Sequence, residues 1–239
     1  MSNPQEPTFT TAEVGRIAGY STQQIRDLER LGAIPVADRG ANGYRCYRSV
    51  HVTAACAYRS LAAAIGPVPA RRIMPRLLNG SLDDAAERID GLHAALDAER
   101  ARVRSARRGL DAVLSEPETD FDERDVMTVG ELAQALGVRA SALRHWEDAD
   151  LVGPRRHQHT GARQYGDRSI AEARIVASLR EGGYPIPRIR QVLVQLREHG
   201  LTAHAGELLD ERLSALTARS LSLLAAASDL HALLTARSA

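Results

Sequence analysis

Residues 143–154 read LRHWEDADLVGP, and residues 25–35 read IRDLERLGAIP. Both place an apolar residue before Arg, a second apolar residue before Glu, and a proline shortly after. Sliding the sequence along itself by 118 positions superposes the two stretches. At the same offset Glu13 meets Glu131, Gly19 meets Gly137, Gly43 meets Gly161, Arg45 meets Arg163 and Tyr47 meets Tyr165. Leu61, Pro67 and Pro69 meet Leu179, Pro185 and Pro187, with no gap across roughly seventy residues. Matches at Gly, Pro, Arg and Tyr are more specific than shared Leu or Ala, so the chain reads as a tandem duplication.

Each half opens on a capping box, TTAE at 10–13 and TVGE at 128–131. There a Thr hydroxyl accepts from the third helical amide while Glu reaches back to the cap. A short helix follows, broken at Gly19 or Gly137, and a second helix begins at once. Ser21 is a good N-cap for it in the first half; Arg139 holds that place in the second and caps poorly. Ile25 and Leu28, like Leu143 and Trp146, lie three apart and share an inward face. Two short helices about a Gly turn are the helix-turn-helix pattern. Turn residues and the alternating Tyr44-Arg45-Cys46-Tyr47 then predict a two-stranded wing, followed by two more helices.

A long helix closes each half. Ile89, Leu92, Leu96, Val103, Leu110 and Val113 form a heptad seam, with Glu99 and Ala106 as weak spots. Leu209, Leu213, Leu216, Leu223, Leu230 and Leu234 form the second seam. Each helix is about 50 Å long, and each seam is the other's obvious mate. SEPETDFDERDV at 115–126 carries six acidic residues and reads as an exposed linker of about 40 Å reach. That length suits antiparallel pairing within one chain. The expected fold class is mainly α. The expected segments are a winged helix-turn-helix at 8–78, a coiled-coil helix at 81–114, the acidic linker at 115–126, a second winged unit at 127–199 and a second coiled-coil helix at 202–235.

The net charge of +1 hides a partition. Residues 9–78 hold ten Arg against four acids, a net of +6, and residues 127–199 hold eleven against eight, a net of +3. Between them, residues 79–126 carry −6. All 31 basic residues are Arg, which points to a GC-rich genome rather than to a physical requirement. Basic winged units between acidic connectors read as binders of duplex DNA. The major groove admits a helix, so the second helix of each half is the recognition candidate. Gln23 is the candidate for a base edge, Arg26 for phosphate or guanine, and Gln24 stands beside them. The counterparts are Ser141, Arg144 and His145, which have little to read bases with and lean on phosphates and DNA shape. Wing candidates for phosphate contact are Arg39, Tyr44, Arg45 and Tyr47 in the first half, and Arg155, Arg156, Arg163 and Tyr165 in the second. Trp146 is assigned to the core.

Each half resembles the DNA-binding portion of the mercury-resistance-type (MerR) family of bacterial transcription regulators. The resemblance is carried by EVGRIAGYSTQQIRDLERLGAIP, NGYRCY and GPVPARRI, and by ELAQALGVRASALRHWEDADLVGP, TGARQY and GYPIPRIRQVL. It extends over nearly the whole chain, long helices included. It implies homodimers held by an antiparallel coiled coil, binding to promoters with an overlong spacer, and bending and untwisting of the DNA so that RNA polymerase engages. This chain looks like such a dimer in one polypeptide, a monomer acting as an intramolecular pseudo-dimer on double-stranded promoter DNA. An aromatic pair usually follows the recognition-helix Arg in the family; here Asp27-Leu28 and His145-Trp146 stand instead. Asp27 would weaken phosphate binding or contact a cytosine amine.

Other classes fare worse. Cys46 and Cys56 fit neither a disulfide framework nor a metal site, and no metal-binding loop follows either long helix, so no metal or other cofactor is expected. His157 and His159 have chelating spacing but no third ligand, and read as a hydrated wing tip. No nucleophile with a neighbouring base, phosphate loop or carboxylate pair marks an enzyme. MSNPQEPTFT has no apolar core and no run approaches about 20 apolar residues, so a cytoplasmic protein without a membrane span is expected. Two alternatives remain. One is a protein that binds or sequesters small molecules, as some members of the resembled family do. Aromatic residues at 4% argue against a large planar-ligand cage but leave room for a small aliphatic effector, for instance between a winged unit and the coiled coil. The other is an architectural DNA-bending protein with no promoter role.

Overall fold

The protein is described by a computed structural model covering residues 7–41, 43–115, 126–157, 161–199 and 204–237. It is mainly helical, with ten helices and two two-stranded sheets among the described residues. The expected linker at 115–126 lies almost wholly outside those residues, as do His159 and the first two residues of the segment expected at 202–235. The chain forms two compact units, Met1–Asp97 with Ala215–Ala239, and Ala98–Ser214.

In the first unit, α1 (Thr11–Ala18) starts from Thr10, whose amide donates to Glu13 Oε2 at 2.8 Å while Thr10 Oγ1 accepts from the Glu13 amide. It stops at Gly19, in the left-handed region at φ 73°. The second helix, α2 (Thr22–Arg30), starts from Ser21 and buries Ile25 and Leu28. Strands β1 (Asp38–Arg39) and β2 (Arg45–Cys46) pair antiparallel, and Phe9 bridges Tyr47 to add a third segment of backbone pairing. Helices α3 (Ser49–Ile65) and α4 (Pro67–Asn79) complete the small core around Leu61, Met74 and Leu77.

The first turns of the long α5 (Leu82–Ser115) and the later turns of α10 (His204–Ala236) belong to this unit too. Leu82, Ala86 and Ile89 share an apolar groove there with Ala227, His231 and Leu234. Arg219 of α10 and Arg237, just past its end, donate to carbonyls at the ends of α3 and α4. Arg219 Nε donates to Ala64 O at 2.7 Å in the last turn of α3, and Arg237 donates to Leu77 O and Gly80 O at the end of α4. A cation at a helix C-terminus also meets the negative end of the dipole.

The second unit contains the later turns of α5, then α6 (Val129–Ala135), α7 (Ala140–Asp148), β3 (Arg155–Arg156), β4 (Arg163–Gln164), α8 (Asp167–Glu181), α9 (Ile186–His199) and the first turns of α10. Thr128 and Glu131 form the capping box of α6, and Met127 bridges Tyr165. Arg107, late in α5, pairs with Asp210 and donates to Gly206 O; Arg212, further along α10, donates to the earlier Glu99 at 3.0 Å. Later residues of one helix thus meet earlier residues of the other, an antiparallel sense. Glu99, a charge on the apolar seam, is matched by that arginine. Leu96, Val103, Ala106, Leu110 and Val113 of α5 are buried. Along α10 the buried apolar side chains are Leu208, Leu209, Leu216, Leu223, Ala226, Leu230 and Leu233, whereas Leu213 and Leu234 are only half-buried.

The hairpins correct one detail of the self-alignment. Gly43 and Gly161 keep the offset of 118, but Asp38 pairs with Cys46 where Arg155 pairs with Gln164. Over the first strand of the hairpin the offset is therefore 117. One residue is lost ahead of β3 and one is gained at the hairpin tip. Arg156, not His157, takes the place of Arg39. Both donate to a tip glycine carbonyl, Arg39 to Gly43 at 3.3 Å and Arg156 to Gly161 at 3.4 Å.

Candidate nucleic-acid interface

With Ile25 and Leu28 buried, α2 turns Gln23, Arg26 and Arg30 outward. Asp27 is the organiser of that face. Its carboxylate accepts from Arg30 Nη2 at 3.0 Å and from Gln23 Nε2 at 3.3 Å. The Arg30 bond, then the Gln23 bond, hold the Asp27 carboxyl below its ordinary range. This acid is occupied within its own helix and orients the Gln23 amide. Arg26 is exposed beside it. Gln24 has a different job, because its Oε1 accepts from the Ser21 amide at 2.8 Å and closes a capping box. Ser21-x-x-Gln24 was the signal for that role. In the second unit Ser141, Arg144 and His145 are exposed on α7, above the buried Leu143 and Trp146.

The hairpins divide their residues into two groups. Arg39, Arg155 and Arg156 are exposed, and Tyr44 is 75% exposed at the first hairpin. Tyr47 and Tyr165, expected at phosphates, face inward instead, and Arg45 and Arg163 keep about a third of their side chains exposed. Both tyrosines are fully buried, and each arginine is turned onto a carboxylate. Arg45 Nε donates to Glu29 Oε2 at 2.7 Å, Tyr47 Oη donates to the same oxygen at 3.0 Å, and the Ala37 amide donates to Oε1 at 3.3 Å. Arg163 Nε donates to Glu147 Oε2 at 2.7 Å, and Tyr165 Oη donates to Glu147 Oε1. The Glu29 and Glu147 side chains are only 9% and 10% exposed, so each bond is made largely out of water.

The clamp fastens the hairpin to the second helix. Burial first, and the adjacent Glu second, push the Tyr47 and Tyr165 hydroxyls above their ordinary range, so both remain donors at any ordinary pH. In the first unit His51 adds a further tie: Nδ1 accepts from the Arg48 amide at 2.9 Å, leaving Nε2 to donate to Val36 O at 3.2 Å. Sequence reasoning missed Glu29 and Glu147 as site-building residues. The signal was present, since Glu, Arg and Tyr recur together at one offset.

Each unit thus presents an exposed arginine on its second helix (Arg26, Arg144) and exposed arginine on a hairpin fastened to that helix, Arg39 in the first and Arg155 and Arg156 in the second. Residues 127–196 match the family of MerR HTH family regulatory proteins. Among curated proteins, the chain is 28% identical over 72 residues to the "Heavy metal-dependent transcription regulator 2" of Rhizobium meliloti (strain 1021), covering 30% of this chain and 49% of that protein. It is 26% identical over 72 residues to the "HTH-type transcriptional regulator HmrR" of Sinorhizobium medicae (strain WSM419), again 30% of this chain and 49% of that protein. It is 30% identical over 66 residues to the "HTH-type transcriptional activator TipA" of Streptomyces coelicolor, covering 28% of this chain and 26% of that protein. The chain therefore spans about half the length of the first two relatives and a quarter of the third. No solved structure matches it. Among the described residues no helix is long and apolar enough to cross a membrane, and no His/Cys/Asp/Glu group could hold a metal ion. Cys46 and Cys56 are half-buried free thiols, and burial pushes that of Cys56 up.

Proposed function

We propose that this chain is a sequence-specific DNA-binding transcription regulator of the MerR type in which a tandem duplication supplies both DNA grips. α2 and α7 are the recognition helices, and the antiparallel long helices take the place of a dimer interface. The observation that carries this reading is the recurrence, in both units, of an exposed helix arginine (Arg26, Arg144) beside a hairpin clamped to that helix. The family match over 127–196 and the regulator relatives support it. Gln23, oriented by Asp27, reads a base edge, while Arg39, Tyr44, Arg155 and Arg156 hold phosphates. Arg45, Tyr47, Arg163 and Tyr165 position the hairpins rather than touch DNA.

Because α2 and α7 expose different side chains, the operator is an imperfect palindrome. The chain bends and untwists promoter DNA for RNA polymerase. Selection of bound fragments from random duplexes, with the mass of the complex measured alongside, tests this. The expected complex holds one chain per duplex, its two half-sites differ, and its affinity falls steeply with salt as counterions are released. Salt-independent binding, or a complex that always holds two chains, overturns the reading.

A further inference from the structure

The outward face of α2 sets a side-chain amide against a carboxylate, and that pair has one stable orientation. Gln23 and Asp27 lie four apart, so they stack on one side of the helix. Asp27 Oδ2 accepts from Gln23 Nε2 at 3.3 Å, and Asp27 Oδ1 accepts from Arg30 Nη2 at 3.0 Å. The Arg30 bond first, and the Gln23 bond second, hold the Asp27 carboxyl below its ordinary range, so it stays ionised. An ionised carboxylate accepts and cannot donate. The Gln23 amide must therefore turn its NH₂ toward Asp27 and keep its carbonyl on the far side. Turned over, it would bring two oxygens together with no proton between them.

What Gln23 offers outward follows from that orientation. The residue is exposed, and Asp27 takes one of the two N–H groups on its Nε2. Its outward edge is then one acceptor, Oε1, beside one donor. In the major groove adenine is the base whose own edge offers both a donor, at N6, and an acceptor, at N7; guanine shows two acceptors. An amide held in this sense matches adenine and sets Oε1 against an acceptor of guanine. The second unit has no such constraint. At the positions 118 later stand Ser141 and His145, and a serine hydroxyl rotates its proton to suit either kind of partner.

We infer that Asp27 determines specificity by fixing the Gln23 amide, so that α2 selects adenine over guanine at one position of its half-site; this rests on α2 being a recognition helix. Asp27 touches no base. It is a positioning residue that acts through Gln23, and Arg30 on its second oxygen steadies it. A negative charge on a face turned toward phosphates lowers affinity on every sequence alike. What the acid contributes in return is discrimination.

Half-sites selected from random duplexes first locate the position whose preference Gln23→Ala flattens. Affinities of the full chain are then measured at one salt concentration for duplexes carrying adenine, guanine or 7-deazaadenine there, the last lacking the N7 acceptor. The expected result is binding about tenfold tighter with adenine than with guanine. Replacing adenine by 7-deazaadenine costs about fivefold, the worth of one neutral hydrogen bond. Asp27→Asn, whose own amide donates as well as accepts, lets Gln23 turn over, so adenine loses its advantage over guanine while preferences in the other half-site stay as they were. The charge removed by Asp27→Asn raises affinity on all three duplexes alike and cancels in the adenine-to-guanine ratio. A merely structural role for Asp27 would leave that ratio intact. The inference is overturned if Gln23→Ala flattens no position, if guanine is preferred there, if 7-deazaadenine binds as adenine does, or if Asp27→Asn keeps the adenine preference. A chain that selects its duplexes yet fails these tests leaves the regulator reading standing; a chain that binds no duplex overturns both.

Discussion

The two units begin their second helices, α2 and α7, in opposite ways. Ser21 caps α2, and Gln24 closes the box behind it. Arg139 holds the same place ahead of α7, with no side-chain cap and a positive charge at the positive end of the helix dipole. The turns that follow also differ. Gly32 sits in the left-handed region at φ 68°, and its counterpart Asp150 adopts φ 59° despite carrying a Cβ. Outward, α2 offers Gln23 where α7 offers Ser141. Yet both units keep the Glu–Arg–Tyr clamp with the same 2.7 Å arginine bond. The fastening of hairpin to helix is shared; the outward side chains of the second helix, its start and the turn that follows it are not.

The clamp carries the largest expected effect. Glu29→Ala and Glu147→Ala each leave a half-buried arginine and a buried tyrosine hydroxyl without their acceptor, and each costs about 3 kcal/mol in denaturant unfolding. If only one of them destabilises, the shared-fastening view fails. Next comes base reading. Gln23→Ala relaxes base preference at one half-site by about 1–2 kcal/mol, seen as altered selected sequences, whereas Ser141→Ala leaves preference unchanged.

Asp150→Gly then raises stability by about 1 kcal/mol, and Gly32→Asp lowers it by a similar amount, because only glycine takes the left-handed conformation freely. Thermal melts of the two variants check this. At the helix starts, Ser21→Ala destabilises by about 1 kcal/mol while Arg139→Ser stabilises by about 0.5 kcal/mol, a difference in sign that melts also resolve.

The smallest effect is one of pH, and it has the same direction in the two units. The Thr10 and Thr128 amides hold the carboxyls of Glu13 and Glu131 below their ordinary range. Their contribution is complete above the unfolded-state value and is lost as pH falls through the lower folded-state value. Glu13→Gln and Glu131→Gln each flatten the acid side of the stability curve. A slope change in only one variant sharpens the comparison by adding a fourth difference.

Local features were legible in the sequence. The capping Thr-x-x-Glu pairs, the poor cap at Arg139 and the inward faces of Ile25, Leu28, Leu143 and Trp146 are matters of three- and four-residue spacing. So was the predominance of helix. What escaped depends on contacts made by the folded chain. Arg45 and Tyr47 meet Glu29 across 16 and 18 residues, so a basic, aromatic hairpin reads as a phosphate surface until its partner is seen. The hairpin register escaped because Gly43/Gly161 and Arg45/Arg163 hold one offset on either side of two one-residue changes that cancel. The Asp27 clamp on Gln23 was within reach of helical spacing, but an exposed acid on a basic face invited a reading through the ligand first.

The assignment of α10 to both units fixes an order in time. Residues 98–214 leave the ribosome before residues 215–239, so the second unit has all its parts while the first still lacks the later turns of α10. Arg219 and Arg237, which close the ends of α3 and α4 from 155 and 160 residues away, arrive last. Long closures of this kind are slow. The half of the molecule translated first is therefore the half that waits, because the first turns of α5 lack their mates until the later turns of α10 emerge.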